Sequence, residues 1–261
     1  MSKIKLIFIT ITLLFFTSIL ATELRIITTE EPPTNYLNEY NQISGITTDI
    51  INEIKKELKL NTKTEIMTWA RAYSIGQTNP NVILYTAAKT KAREDLGFIF
   101  LGPITTRKHV LYSLKSNYLK NPSIETIKKQ NLIIGAMRED WRAKYFKDLN
   151  LKVYEVSNHS QNLEKLLLKR IDLWASSDLE APFIVNLENK DINTLDEYYV
   201  YKTAQSHILF SKDTSEHIIY QWKKAYRKLQ TNGFLDAIAQ KWSNILNINL
   251  QYSKELGFYK N

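Results

Sequence analysis

The chain has 261 residues, of which 44% are hydrophobic, so it can bury a sizeable core and its composition excludes a disordered protein. Its formal net charge is +8, but the lysines alternate with acids, as in IINEIKKELKLNTKTE, and no basic stripe interleaved with aromatics marks a nucleic-acid-binding surface. The absence of cysteine excludes disulfide bonds, thiol catalysis and the lipid anchor of a bacterial lipoprotein.

Residues 1–21 predict a secretory signal peptide. Lys3 and Lys5 form a charged start, an apolar run continues to Leu20, and the small residue Ala21 suits cleavage. The alternative is an uncleaved membrane anchor, because the apolar run approaches the length that spans a bilayer. We expect an exported, unlipidated protein that resides in the periplasm.

The first part of the mature chain alternates between strand and helix patterns. ELRIITTEE (23–31) is typical of an opening strand, and ITTDIINEIKKELKL (46–60) places apolar residues at helical spacing. TKTEIMTW (62–69) alternates like a strand, ARAYSIGQT (70–78) suits a short helix, and NVILYTAA (81–88) suits a buried strand. This order predicts right-handed crossovers and a mostly parallel sheet.

A second α/β set follows the segment GPITTRK. Strands are predicted at HVLYSL, NLIIGAM, LKVYEV and IDLWAS, and helices at SIETIKKQ, REDWRAKYFKDL and NLEKLLLKR. The C-terminal part predicts strands in YYVYKTAQSHILFSK and two helices, SEHIIYQWKKAYRKLQT and FLDAIAQKWSNIL, separated by Asn232-Gly233. No long linker or repeat separates the sets, so we expect two α/β lobes joined by strands.

Six segments in this order resemble the bacterial extracellular solute-binding proteins of family 3, the amino-acid-binding type of periplasmic binding protein. They are EEPPTNYLN…ISGITTDIINEI, MTWARAY, NVILYTAAKTKAREDLGFIFLGPI, NLIIGAMREDWRAKYF, LLLKRIDLWASS and LFSKDTSEHIIYQWKKAYRKLQTNGFLDAIAQKW. The resemblance implies a type II fold, with a ligand cleft between two lobes and two hinge strands. It implies that lobe 1 contains residues 22–105 and 207–261, and lobe 2 residues 106–206. Such lobes close around a ligand by a hinge motion.

Arg93, in the segment TKAREDLG, is the main candidate for ligand binding. The resemblance implies that its guanidinium pairs with the carboxylate of the ligand, a two-pronged geometry that lysine cannot reproduce. The alternative is a surface arginine that pairs with Glu94 or Asp95. Thr86 occupies another implied contact position, whereas Ala88 stands where relatives often have a hydroxyl that helps hold the carboxylate.

The first cleft loop and the segment MTWARAY supply three further candidates. Trp69 occupies a cleft-wall position, where it either stacks on the ligand or packs in the core. Glu31 lies where an aromatic wall is common in relatives, and a carboxylate there favours a cationic group on the ligand. Tyr36 is a candidate on the same loop.

Lobe 2 is expected to meet the ligand from the other side. The resemblance implies contacts at the start of the helix after NLIIGAM, where Arg138 and Asp140 stand without the usual hydroxyl residue. It also implies an acid for the ligand ammonium, for which Ser177 is the best-aligned residue and Asp178 the nearest carboxylate. Which of the two faces the cleft stays open.

The function implied is capture of a small polar carboxylate, most simply an amino acid, by a monomer that serves an ABC transporter. The alternatives are a cyclohexadienyl-dehydratase-like enzyme on the same fold and a sensory role with a membrane receptor. No cofactor or metal is expected, because His109, His159, His207 and His217 show no metal-ligand spacing. No serine elbow or phosphate loop is present, so we expect binding without catalysis.

Overall fold

The computed structural model describes residues 23–138 and 140–261. The predicted signal peptide lies outside these residues. From the start to the first long strand, the elements are β1 (Arg25–Thr28), β2 (Tyr36–Leu37), β3 (Ile43–Ser44), α1 (Ile46–Glu57), β4 (Thr64–Ile66), α2 (Trp69–Thr78), β5 (Val82–Ala88), α3 (Lys91–Asp95) and β6 (Ile99–Leu114).

The second set of elements runs to the other long strand. It consists of α4 (Ile124–Lys129), β7 (Ile133–Met137), α5 (Trp141–Asp148), β8 (Lys152–Val156), α6 (His159–Leu167), β9 (Leu173–Ser177), α7 (Glu180–Leu187) and β10 (Leu195–Phe210). The chain then forms α8 (Glu216–Leu229), α9 (Phe234–Leu246), β11 (Leu250–Ser253) and β12 (Gly257–Lys260). Short 3-10 helices lie at Lys115–Asn117 and Ile192–Thr194.

The main sheet has the strand order β4-β1-β5-β10-β6-β9-β7-β8, and the hairpin β11–β12 joins it beside β6. Strand β1 is parallel to β4 and β5, and β7 is parallel to β8 and β9. The predicted parallel crossovers are therefore present within each lobe. The long strands β6 and β10 are antiparallel to each other and to their neighbours β9 and β5.

The two 16-residue strands β6 and β10 connect the lobes. The C-terminal half of each strand also pairs with a third strand: that of β10 pairs with β5 in lobe 1, and that of β6 pairs with β9 in lobe 2. The pairing of β6 with β10 shifts register three times, which gives local bends in the crossing ribbon. The predicted lobe boundaries fall within these strands, and the boundaries themselves stay a prediction.

Each lobe buries apolar residues on both faces of its part of the sheet. In lobe 1, Ile83 and Phe210 pack against α1, α8 and α9 on one face, and Ile27 and Leu84 pack with Phe98 on the other. In lobe 2, one face buries Trp174 with residues of α6 and α7, and the other buries Phe146 of α5. Separate cores of this kind let each lobe move as a unit.

The structure adds elements that the patterns did not predict: the hairpins β2–β3 and β11–β12, and the helices α3 and α7. The predicted strand 62–69 is shorter, because Trp69 already begins α2. The predicted helix 138–149 begins at Trp141, because the Asp140 side chain caps it by accepting a hydrogen bond from the Arg142 amide. No helix in the described part of the chain is long and apolar enough to cross a bilayer.

Candidate functional site

The carboxyl ends of the parallel strands in both lobes open on the space between the lobes. In lobe 1 these ends lead into the loop after β1 and into α3 after β5; in lobe 2 they lead into α5 after β7 and α7 after β9. Ligands of α/β proteins bind in the crevice outside such strand ends. The cleft is therefore the candidate site. Nine of the ten predicted ligand-binding residues lie on these strand ends and the segments that follow them, or on α2, which follows β4. The tenth, Tyr36, lies on β2.

Arg93 lies on the five-residue helix α3 with its guanidinium held by neutral groups. Its Nη1 donates a hydrogen bond to the carbonyl oxygen of Ala88, and its Cζ lies 4.7 Å from the centre of the Trp69 ring and 5.2 Å from that of Tyr73. The neighbouring acids pair with lysines instead: Glu94 with Lys89 at 3.1 Å, and Asp95 with Lys91. The guanidinium has no carboxylate partner among the described residues.

The aromatic side of this site is formed by α2. The rings of Trp69 and Tyr73 are stacked, with centroids 5.5 Å apart, and Tyr73 continues the stack onto Phe98 at 5.6 Å. The faces of both rings contact Arg93, an attraction between a cation and the electron-rich ring face. Trp69 therefore orients the arginine; whether it also stacks on a ligand stays a prediction.

Thr86 occupies a bulge near the end of β5. Tyr85 pairs with Ile208 and Ala87 with His207, so Thr86 is the extra residue, and its φ of 67° is rare for a β-branched side chain. Such strained positions concentrate at ligand sites. Its hydroxyl donates to Oδ1 of Asn35, which ties the end of β5 to the first cleft loop. Ala88 follows as the exposed last residue of β5.

Glu31 contacts a buried arginine that sequence reasoning did not select. Arg107, on β6 where it passes between the lobes, donates from Nη1 to Oε1 of Glu31 and from Nη2 to the Thr34 hydroxyl at 3.2 Å. The side chain of Arg107 is 7% exposed and that of Glu31 is 37% exposed. Desolvation raises the pKa of Glu31, Arg107 opposes this rise, and Glu180 adds to it. Solvent moderates the shift at a side chain that is more than one-third exposed.

The lobe 2 wall contains a buried network centred on Arg142. This residue donates to both oxygens of Asp140, and from Nη1 to Oε2 of Glu180 at 2.6 Å; its Nη2 lies 3.1 Å from Nε2 of His159. Burial alone would lower the pKa of Arg142, but the two carboxylates hold it above its usual value. Burial alone would raise the pKa of Glu180, yet Arg142 holds it well below its usual range.

This network engages one of the two predicted contacts at the start of α5. Asp140 is both the helix cap and a partner of Arg142, so it does not present a free carboxylate. Arg138 lies instead beside Tyr154, Glu155 and Lys165, which line a surface cavity of about 420 Å³ on lobe 2. The roles of Arg138 and Asp140 in ligand binding stay predictions.

Ser177 and Asp178 are both used by the protein itself. The Ser177 hydroxyl accepts a hydrogen bond from the amide of Glu180 at 3.1 Å, at the start of α7. Asp178 Oδ1 accepts from the Lys108 amide at 3.0 Å, and the Asp178 amide donates to the Lys108 carbonyl, also at 3.0 Å. They are 1% and 2% exposed. Burial raises the pKa of Asp178 to about 6, and the bond from Lys108 opposes this rise.

Two aromatic contacts lie around the cleft. Tyr36 packs on Phe183 of α7, with ring centroids 4.8 Å apart, and so connects the first cleft loop of lobe 1 to lobe 2. On the hinge strand, His109 packs edge-on against Trp141 at 4.9 Å. Burial, with the charges of Arg107 and Arg142, lowers the pKa of His109 to about 3, so this histidine is neutral at physiological pH.

Within the described residues, no three histidine, cysteine, aspartate or glutamate side chains are placed to hold a metal ion. The site is therefore organised by arginines, carboxylates and aromatic rings. Its chemistry suits a small molecule that carries both charge and an apolar part.

The sequence comparisons identify the family. Residues 24–245 match the bacterial extracellular solute-binding proteins, family 3. The chain belongs to this family. Its similarity to the L-cystine-binding protein TcyJ of Bacillus subtilis (strain 168) is 24% identity over 238 residues, which cover 87% of this chain and 83% of that protein.

Solved structures show the same two-lobed fold. A mutant of ArgBP from T. maritima superposes with a TM-score of 0.67 at 17% identity, over 84% of this chain and 95% of that one. A substrate-binding protein of an ABC uptake transporter from Streptococcus pneumoniae, with bound histidine, superposes with a TM-score of 0.67 at 15% identity, over 84% of this chain and 92% of that one. The type II fold and the expectation of an exported solute-binding protein, rather than an enzyme, are confirmed.

Sequence reasoning missed Tyr73, Arg107, Arg142 and Glu180. Tyr73 is detectable in principle, because it follows Trp69 by one helical turn and therefore shares its face. The pairing of Arg142 with Glu180 joins residues 38 positions apart, and that of Arg107 with Glu31 joins residues 76 apart. No local pattern marks such contacts.

Proposed function

We propose that the protein captures an amino acid in the cleft between its lobes and delivers it to an ABC transporter. The observation that carries this proposal is the state of Arg93. Its guanidinium is oriented by two aromatic faces and one carbonyl group, while the adjacent acids pair with lysines. An arginine in this state is prepared for a carboxylate ligand, which it can grip through two parallel hydrogen bonds.

The relatives support the same ligand class. The similar proteins include one named for L-cystine and one with bound histidine, the latter from an ABC uptake transporter. We therefore infer an amino-acid ligand and a permease partner. We further propose a monomer in the periplasm, unlipidated because the chain contains no cysteine. Lobe 1 is formed by residues 22–105 and 207–261 and lobe 2 by residues 106–206.

A thermal-shift screen tests this proposal. The purified protein, expressed from the full chain, is heated with each of the twenty amino acids, with polyamines, with small organic acids and with prephenate. A ligand that binds only the folded state raises the melting temperature, by an amount that grows with its concentration. We expect a shift with one amino acid or a related group of them. A shift with non-amino carboxylates alone, or consumption of prephenate, would contradict the proposal.

A further inference from the structure

The two residues that align best with an ammonium-binding acid are poorly accessible to a ligand. The Ser177 hydroxyl accepts a hydrogen bond from the Glu180 amide, and Oδ1 of Asp178 accepts one from the Lys108 amide. Each residue is almost completely buried. These hydrogen bonds hold α7 and the hinge strand, and a ligand that displaced either one would leave a buried amide unpaired.

Apart from the exposed Glu30, the other carboxylates described on the cleft segments pair with basic side chains. Asp140 and Glu180 share Arg142, and Glu94 pairs with Lys89. Arg107 contacts only Oε1 of Glu31, and Oε2 receives no hydrogen bond from the part of the chain that the structure describes. Asp178 is likewise bonded at one oxygen only, but it is 2% exposed. The side chain of Glu31 is also the most exposed of the three that contact an arginine, at 37% against 14% for Asp140 and 5% for Glu180.

Glu31 lies on the same lobe as Arg93 and at the end of a neighbouring strand. Strands β1 and β5 pair directly, from Arg25 with Val82 to Ile27 with Leu84, so the segments that follow them open on the same wall of the cleft. The Thr86–Asn35 hydrogen bond fixes the loop of Glu31 against the end of β5. Arg93, which can bind a carboxylate, and Glu31, which can bind an ammonium group, therefore lie on the same lobe.

We propose that Glu31 binds the ammonium group of the ligand, in place of Ser177 or Asp178. This assignment rests on the proposed amino-acid-binding function. Lobe 1 then holds both charged groups of the ligand, the carboxylate through Arg93 and the ammonium through Glu31, and lobe 2 closes over a molecule that is already oriented. The ammonium is either the α-amino group or a cationic side chain, and the experiment separates these two sources.

The test compares Glu31→Gln with two other substitutions. Glu30→Gln removes the same charge from the exposed neighbouring residue and serves as the matched control. Asp178→Asn tests the competing assignment. Isothermal titration calorimetry is performed with the amino acid that gives the largest thermal shift and with its analogue in which hydrogen replaces the α-amino group. For a ligand with a cationic side chain, a second analogue lacks the side-chain ammonium.

We expect Glu31→Gln to weaken binding of the amino acid about 10- to 100-fold, because a charge-assisted hydrogen bond is lost. The analogue that lacks the relevant ammonium should bind the wild type and Glu31→Gln within about threefold of each other. The analogue that binds both proteins with similar affinity shows which ammonium group of the ligand contacts Glu31. Glu30→Gln should bind the amino acid like the wild type.

The inference is overturned if Glu31→Gln binds the amino acid as tightly as the wild type, or if the loss appears in Asp178→Asn instead. It is also overturned if Glu31→Gln weakens binding of the amino acid and of all its analogues by the same factor, because the effect would then be independent of the ammonium group. If no amino acid binds the wild type, the proposed function itself fails. Urea-unfolding midpoints of the variants identify a general loss of folding.

Discussion

Arg93 contributes to the candidate site without being part of an ion pair. Its contacts are a carbonyl oxygen and the faces of Trp69 and Tyr73, and each cation–ring contact at a partly exposed site contributes about 0.5–1 kcal/mol. Arg93→Ala should therefore lower the free energy of unfolding of the ligand-free protein by only about 1–2 kcal/mol. Urea unfolding measures this, with Arg71→Ala, which removes an exposed arginine from α2, as the control. A loss of several kcal/mol would show that Arg93 is a structural residue.

Asp178 gives a pH-dependent contribution to stability. Its pKa is raised by burial from 3.8 to about 6, so between these values the folded protein binds more protons than the unfolded chain. The free energy of unfolding should then fall as the pH rises from about 4 to about 6, with this carboxyl accounting for roughly 1–3 kcal/mol of the change.

Asp178→Asn removes this titration and retains an oxygen for the Lys108 amide. Urea unfolding of both proteins at pH 4, 5, 6 and 7 should show the variant gaining stability relative to the wild type as the pH rises. A constant difference across this range would mean that the carboxyl is ionised in the folded protein at all of these values.

Helices α5, α6 and α7 of lobe 2 are connected by the Arg142 network. Arg142 and Asp140 belong to the start of α5, His159 begins α6 and Glu180 begins α7. His159 Nδ1 also accepts a hydrogen bond from the Trp174 indole at 3.0 Å, which extends the network into the core. The network therefore fixes the three helix starts that face the cleft.

Removal of Arg142 should leave the buried carboxylates of Asp140 and Glu180 without their guanidinium counter-charge. We expect Arg142→Met to lower the free energy of unfolding by roughly 3–5 kcal/mol, as for other buried pairs that lose one member. The control is Lys144→Ala, which removes an exposed pair with Asp148 on the same helix and should cost less than about 0.5 kcal/mol. Equal losses in the two variants, measured in urea, would contradict a structural role for the network.

Gly45 allows α1 to pack against the first cleft loop. Its φ is 130°, and a Cβ atom there would lie 2.3 Å from the carbonyl oxygen of Thr34. The first amides of α1 donate to this loop, from Ile46 to Pro33 at 3.0 Å and from Thr47 to Thr34 at 2.9 Å. The helix start and the loop that contains Glu31 therefore form one unit.

The elements with a clear hydrophobic period were the most predictable. The spacing of apolar residues predicted helices at 215–231 and 234–246, and the structure has Glu216–Leu229 and Phe234–Leu246. Helix α7 was missed because its sequence EAPFIVNL is mostly apolar and includes a proline, so it shows no amphipathic stripe. Helix α3 has only five residues, too few to show a period.

Residues of the candidate site were predictable only where they belong to one contiguous segment of the chain. Arg93 and Thr86 belong to a contiguous stretch that resembles the family, whereas the partners of Glu31 and Arg142 come from distant parts of the chain. The sequence also could not show that Ser177 and Asp178 form hydrogen bonds with α7 and β6 within the protein. Such pairing depends on tertiary packing rather than on residue type.

Strands β6 and β10 connect the two lobes, and we expect the lobes to close about them when a ligand binds. The lobes already touch where Tyr36 meets Phe183 and where Asn186 donates to the Ile245 carbonyl at 3.2 Å. A ligand that contacts both walls should stabilise the closed arrangement. Small-angle X-ray scattering should then show a smaller radius of gyration at saturating ligand. An unchanged radius would contradict lobe closure on binding.

Calorimetric titration of the wild type and Arg93→Ala, with the amino acid selected by the thermal screen, shows whether Arg93 binds the carboxylate of an amino-acid ligand. We expect one bound amino acid per chain for the wild type. Arg93→Ala should bind at least about 100-fold more weakly, since the carboxylate would be enclosed without its partner. Wild-type affinity in Arg93→Ala, or no binding of any amino acid to the wild type, would contradict this expectation.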